Sequence, residues 1–183
     1  MKKKLIIGLF ACLIALQIAV PVSMIAKRES TLKTGASFRF KTAPVDPYDA
    51  FRGRYVAIRA DVNKVSKPEG MNLKYRQKVF AQLTVDEKGF AQVSKITLQR
   101  PKDSAYLSAS VAYPVGNDVE LDLPIDRYYM EEKAATRAEQ AYREHKRDAY
   151  VVVRVKDGFA VIEGLYVGDQ RIEDAVRQSL VTK

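Results

Sequence analysis

Residues 150–167, YVVVRVKDGFAVIEGLYV, decide the fold class. Two strand-forming runs, Tyr150 to Lys156 and Phe159 to Val167, flank Asp157-Gly158, and this pattern predicts a β-hairpin. Gly168-Asp169 predicts a further turn, after which Arg171 to Leu180 reads either as a short helix or as a strand with a frayed tail. Working back from the hairpin, Met130 to Arg147 carries Ala134, Ala135, Ala138, Ala141 and Tyr142 on a roughly helical stripe among charged residues. That spacing predicts one long helix packing through a thin alanine seam.

Upstream of this helix the strand signals return. Residues 75–85 and 90–98 flank Asp86-Glu87-Lys88-Gly89, which predicts a second hairpin with Gly89 left-handed. Short strands are expected at 106–112 and 118–123, with Pro114, Gly116, Asn117 and Pro124 supplying turns. Ser37 to Lys41 alternates and reads as a strand, as does Arg54 to Val62, whereas Asn63 to Asn72, with Pro68 and Gly70, reads as a loop. Between the first two strands, Asp46 suits an N-cap, Pro47 the first helical position, Asp49 the first turn, and Gly53 a left-handed end. The expected architecture is mainly β with one inserted helix, an antiparallel sandwich or small barrel.

The N-terminus is of another kind. Lys2, Lys3 and Lys4 precede 22 uncharged residues, Leu5 to Ala26, and Lys27-Arg28 follows at once. About 20 such residues cross a bilayer core as a helix, so residues 5–26 are expected to be a single transmembrane signal-anchor. Residues 27–36 then read as a polar tether, and 37–183 as the domain. A cleaved export signal is the alternative, but the run is long and Met24 stands three residues before the best cut, after Ala26. A lipoprotein reading of Leu9-Phe10-Ala11-Cys12 meets 14 further residues that never turn polar, and a buried core helix meets the basic flanks. The lysine bias places residues 1–4 in the cytoplasm and the domain outside it. Cys12 is the single cysteine, so the domain has none, which suits an oxidising compartment.

The net charge of +9 falls to +6 without the three leading lysines, and that remainder is interleaved with Asp and Glu. No basic stripe of the kind that reads nucleic acid emerges, so no nucleic-acid partner is expected.

One segment has a family look. Pro44-Val45-Asp46-Pro47-Tyr48-Asp49-Ala50-Phe51-Arg52-Gly53-Arg54-Tyr55-Val56-Ala57-Ile58 resembles the lead-in and signature strand of the GDYXXLXY family of bacterial membrane-anchored proteins. Arg127-Tyr128-Tyr129-Met130-Glu131-Glu132 is similar to its second block, an aromatic pair followed by acidic residues and a helix, and the closing hairpin fits in place. Arg54, Ile58 and Ala60 stand where the signature has Asp, Leu and Tyr, and Gly53 and Tyr55 keep it. The resemblance implies a single-span protein of the bacterial inner membrane with a periplasmic or extracytoplasmic domain. It implies no reaction.

No catalytic set stands out. Cys12 lies in the apolar span, and His145 sits in a charged helix face, where a solvated surface role explains it best. Glu131 and Glu132 are adjacent and diverge on a helix, a poor metal pair, and no motif points to a cofactor. The candidate cluster is Asp46, Asp49, Arg52, Gly53, Tyr55, Tyr128, Tyr129, Glu131 and Glu132, two distant segments expected to meet. Pairing of Arg52 with Glu131 or Glu132 would be structural; the alternative is a recognition surface. The expected function is a noncatalytic module that binds or scaffolds a membrane or envelope protein. An envelope hydrolase with a Ser–Lys centre and a polyanion-binding domain are the alternatives.

Overall fold

A computed structural model of the chain describes residues 2–44, 55–68, 70–130, 138 and 148–181. Helix α1 (Lys2–Thr34) is a single 33-residue helix with Pro21 inside it. At ~1.5 Å per residue it is about 50 Å long, longer than a bilayer core of about 30 Å. Its apolar side chains are exposed all round. Within the polar tether read over residues 27–36, residues 27–34 continue the helix, and Gly35 alone separates it from the first strand.

Eleven strands follow among the described residues. One antiparallel sheet contains β1 (Ala36–Pro44), β2 (Tyr55–Ala60), β8 (Arg127–Tyr129), β9 (Ala149–Lys156), β10 (Phe159–Val167) and β11 (Gln170–Arg171), in the order β11-β10-β9-β1-β2-β8. The other contains β3 (Lys64–Ser66), β4 (Lys78–Val85), β5 (Ala91–Thr97), β6 (Tyr106–Val115) and β7 (Asp118–Asp122), in the order β3-β7-β6-β4-β5. Every named strand pair is antiparallel, as the hairpin spacing predicted. Phe40, Val151, Val153 and Leu165 from the first sheet meet Val79, Ile96, Leu107 and Val119 from the second in one core. Strand β9 shows the cause: Ala149, Val151, Val153 and Val155 are buried in strict alternation.

The two sheets join where Leu107 forms a parallel bridge to Gly158, with Ser108 N donating to Gly158 O at 2.9 Å. The β9–β10 turn is made by Asp157 (φ 51°) and Gly158 (φ 77°), both left-handed, as a tight two-residue hairpin requires. Gly89 is left-handed too, at φ 81°, and Asp86 closes its turn by accepting from the backbone N–H groups of Lys88 and Phe90.

Several local expectations change. Pro114 lies within β6 and makes no turn, and the loop expected over 63–72 contains β3. The final segment is a helix, α2 (Ile172–Val181), anchored by the buried Ile172 and Val176. The long helix expected over 130–147 lies outside the described residues except for Met130 and Ala138; Ala138, one member of the alanine stripe, is helical and fully buried.

Candidate functional site

Of the two segments singled out in the sequence, Tyr55 and the pair Tyr128-Tyr129 lie on adjacent strands. β2 pairs with β8 in the register Tyr55↔Tyr129, Val56↔Tyr128 and Ala57↔Arg127, and Asp126 O accepts from Ile58 N at 2.9 Å. The chain therefore enters β2 beside the point where it leaves β8. In the sequence, residues 45–54 precede β2, and Met130 and then residues 131–137 follow β8. Asp46, Asp49, Arg52, Gly53, Glu131 and Glu132 lie outside the described residues, and so does any pairing of Arg52 with the glutamates. Of the signature strand, Ile58 and Ala60 are core residues, so the positions where Leu and Tyr were expected are apolar packing positions.

Tyr128 and Tyr129 have different surroundings, as successive strand residues must. Tyr129 is 64% exposed. Tyr128 packs against the core and its hydroxyl donates to Glu173 Oε1 in the first turn of α2. This contact joins the outermost strand on one side, β8, to the helix following the outermost strand on the other, β11. It draws the six-stranded sheet towards a closed barrel. The second carboxylate oxygen of Glu173 is buried and accepts no hydrogen bond from the described residues, with Arg171 Nε 3.8 Å away. Arg171 is held in turn by donating to Glu163 O at 2.9 Å.

Burial, then the neighbouring Glu173 carboxylate, pushes the Tyr128 phenol up to about 12. Its neutral form is the one the fold stabilises, so it is a latch rather than a base. The folded state keeps this proton above the ordinary value of 10.0, so the latch's contribution is complete below pH 10 and is lost as pH rises through about 12. Tyr128→Phe is expected to lower stability by about 1 kcal/mol at neutral pH by leaving a half-buried carboxylate oxygen without its donor. It should also flatten the alkaline limb of the stability curve. Thermal unfolding of parent and variant between pH 8 and 12 checks both; parallel curves would refute the latch.

A second feature crosses the same sheet. Arg171, Tyr166, Tyr150 and Lys41 occupy one cross-strand row over β11, β10, β9 and β1. The Tyr150 and Tyr166 rings stack with centroids 5.2 Å apart. Arg171 and Arg39 stand over their faces at 6.0 and 5.8 Å, and Lys41 stands over Phe90, itself edge-on to Tyr150. The row depends on a bulge between Ile162 and Gly164; without it Tyr150 would oppose Leu165. The composition of the hairpin carried no sign of that bulge, and the row was missed in the sequence for that reason.

The third feature is the seat of α1. Thr31 is only 2% exposed although the helix before it is bare. Lys156 Nζ donates to Ser30 Oγ at 2.9 Å and to Thr34 Oγ1 at 2.8 Å, placing a cation at the negative end of the helix dipole. Lys27 Nζ lies 4.5 Å from the centre of the Phe159 ring. Val161 shares a face with Phe159 and is buried there, away from the central core. The helix end is thus clasped onto the β9–β10 hairpin.

No curated protein and no solved structure matches the chain. A family model described as GDYXXLXY protein matches residues 17–165, from inside α1 through the signature strand β2 to the core residue Leu165, and with that span well over half of the sequence is covered: the chain belongs to the GDYXXLXY family.

Proposed function

We propose that this protein is a noncatalytic recognition module, held at the bacterial inner membrane by one crossing of α1. In this reading residues 1–4 are cytoplasmic and the sandwich is extracytoplasmic. Its partner is another membrane or envelope protein. The observation that carries the proposal is the clasp between α1 and the β9–β10 hairpin. A catalytic domain working on diffusing substrates gains little from a fixed mount. A scaffold gains orientation, because a rigid helix–sandwich joint determines which face meets a neighbour in the same membrane. The length of α1 and its uncharged run from Leu5 to Ala26 support the crossing.

The proposed contact surface is the end of the sheet where β2 and β8 pair. It carries Tyr129, and the segments bearing Asp46, Asp49, Arg52, Glu131 and Glu132 adjoin its strands in the sequence. Exposed tyrosine is a side chain that protein interfaces favour. Crosslinking of the full-length chain in its native membrane, followed by pull-down, tests this. One partner should be captured by the parent and lost, at least tenfold, by a variant combining Arg52→Ala, Tyr129→Ala, Glu131→Ala and Glu132→Ala that keeps the parent's near-ultraviolet circular dichroism. A folded variant that retains every crosslink would remove this surface from consideration.

A further inference from the structure

A cleft of about 370 Å³ lies at the foot of the sandwich, lined by Arg100, Lys102, Ser104, Tyr106 and Asp157 among others. Its position follows from a chain of contacts. Lys27 is the first residue after the apolar run, and its ammonium lies against Phe159. Phe159 adjoins Asp157-Gly158, the turn that forms one wall of the cleft. The other wall is the loop between β5 and β6, drawn to the turn by the Ser108 N to Gly158 O hydrogen bond and by Tyr106 packing beside Gly158. Arg100 stacks over Tyr106 with its guanidinium carbon 5.9 Å from the ring centre. Leu98, on the same loop, is 47% exposed. The cleft therefore opens close to the level at which α1 leaves its apolar segment.

We propose that this cleft binds the headgroup of an anionic phospholipid, in the leaflet from which α1 emerges into the domain. The inference rests on α1 crossing the membrane. Arg100 and Lys102 supply two cations for a phosphodiester. Asp157 would repel a bare phosphate but can accept a hydrogen bond from a headgroup hydroxyl, so a phosphoglycerol headgroup fits the set best. Leu98 dips into the interface beside it. Because α1 is already clasped to the hairpin, the cleft meets the lipid surface at little further cost in freedom.

The experiment uses the full chain in nanodiscs containing lipids spin-labelled near the headgroup or deep in the acyl chain. Two proteins carry a fluorophore, one on the native Cys12 and one on Gln99→Cys in a Cys12→Ser background. With phosphatidylglycerol present, the probe at 99 is expected to be quenched by the shallow label, and less so in pure phosphatidylcholine. Each basic side chain near an anionic surface contributes about fivefold. Arg100→Ala with Lys102→Ala should therefore lower the ratio of docked to undocked protein about thirty-fold. Both side chains are exposed, so this variant should fold normally. Equal quenching in the two lipids, or no response to the double variant, overturns the proposal while quenching of Cys12 by the deep label leaves the crossing intact. An unquenched Cys12 instead overturns the crossing itself, and the proposal with it. Release of the probe at 99 by millimolar inorganic phosphate at constant ionic strength would assign the cleft to a free anion and overturn the lipid assignment.

Discussion

Gly158→Ala is expected to destabilise the domain by about 3 kcal/mol, lowering its unfolding temperature by roughly 10 °C. Two costs combine. Gly158 is left-handed, at φ 77°, a conformation that costs an alanine about 1–2 kcal/mol. A methyl group there would also stand 2.5 Å from Ser108 Oγ and 2.5 Å from Tyr106 Cε2, where the two sheets join. Relieving that overlap means moving Tyr106, which packs edge-on to Phe80. Overpacking of this kind costs about 1–3 kcal/mol. Gly116→Ala separates the two terms, because Gly116 is also left-handed, at φ 61°, yet has open space around it. It should show the backbone cost alone, about 1–2 kcal/mol. The protein has no tryptophan, so near-ultraviolet dichroism of its tyrosines is the natural readout of thermal unfolding in detergent. Equal losses for the two variants would mean that the sheets do not close at Gly158.

Both hairpins were legible because their information is local. Asp157-Gly158 and Asp86 to Gly89 specify turns by backbone chemistry, and the alternation of β9 needs no partner to be read. The apolar run of α1 was legible for the same reason. β8 was not: three residues, Arg127 to Tyr129, are too short to show a period, and only their pairing with β2 makes them a strand. Tyr128 and Tyr129 drew attention as an aromatic pair, but their division into one latch and one exposed ring depends on Glu173, 45 residues away. Pro114 reads as a breaker, yet its fellow residues pair on across β6 beyond the irregularity between Val111 and Tyr113. The helical form of residues 27–34 was not legible for a related reason. Ser30, Thr31 and Thr34 look like polar linker residues. In the fold the hydroxyls of Thr31 and Thr34 bond back to helix carbonyls, and those of Ser30 and Thr34 receive Lys156 from the far end of the chain. Tertiary partners turned a polar composition into helix.

That clasp makes Gly35 the most demanding position in the junction. Gly35→Ala is expected to destabilise the docked state by about 3 kcal/mol, because a Cβ there would lie 2.5 Å from Thr31 O and 3.1 Å from both the N and the O of Val155. All three are backbone atoms. Thr31 O already accepts from Gly35 N at 2.8 Å, and Val155 is the residue paired with Ala36 at the start of β1. No side chain can swing aside, so either the last helical turn moves away from β9 or the first pair of β1 opens. The two responses differ in trypsin sensitivity and in unfolding temperature. If the helix end moves, Lys27, Arg28 and Lys33 become cleavable in a sandwich that still melts near the parent temperature. If β1 opens, unfolding itself shifts down by roughly 10 °C. Lys156→Ala serves as the milder companion: it removes the donor to Ser30 and Thr34 without overlap, and should raise cleavage at the same sites with little change in melting. A Gly35→Ala protein as resistant and as stable as the parent would show that the helix end does not sit against β9. The fixed mount on which the scaffolding proposal rests would then be gone.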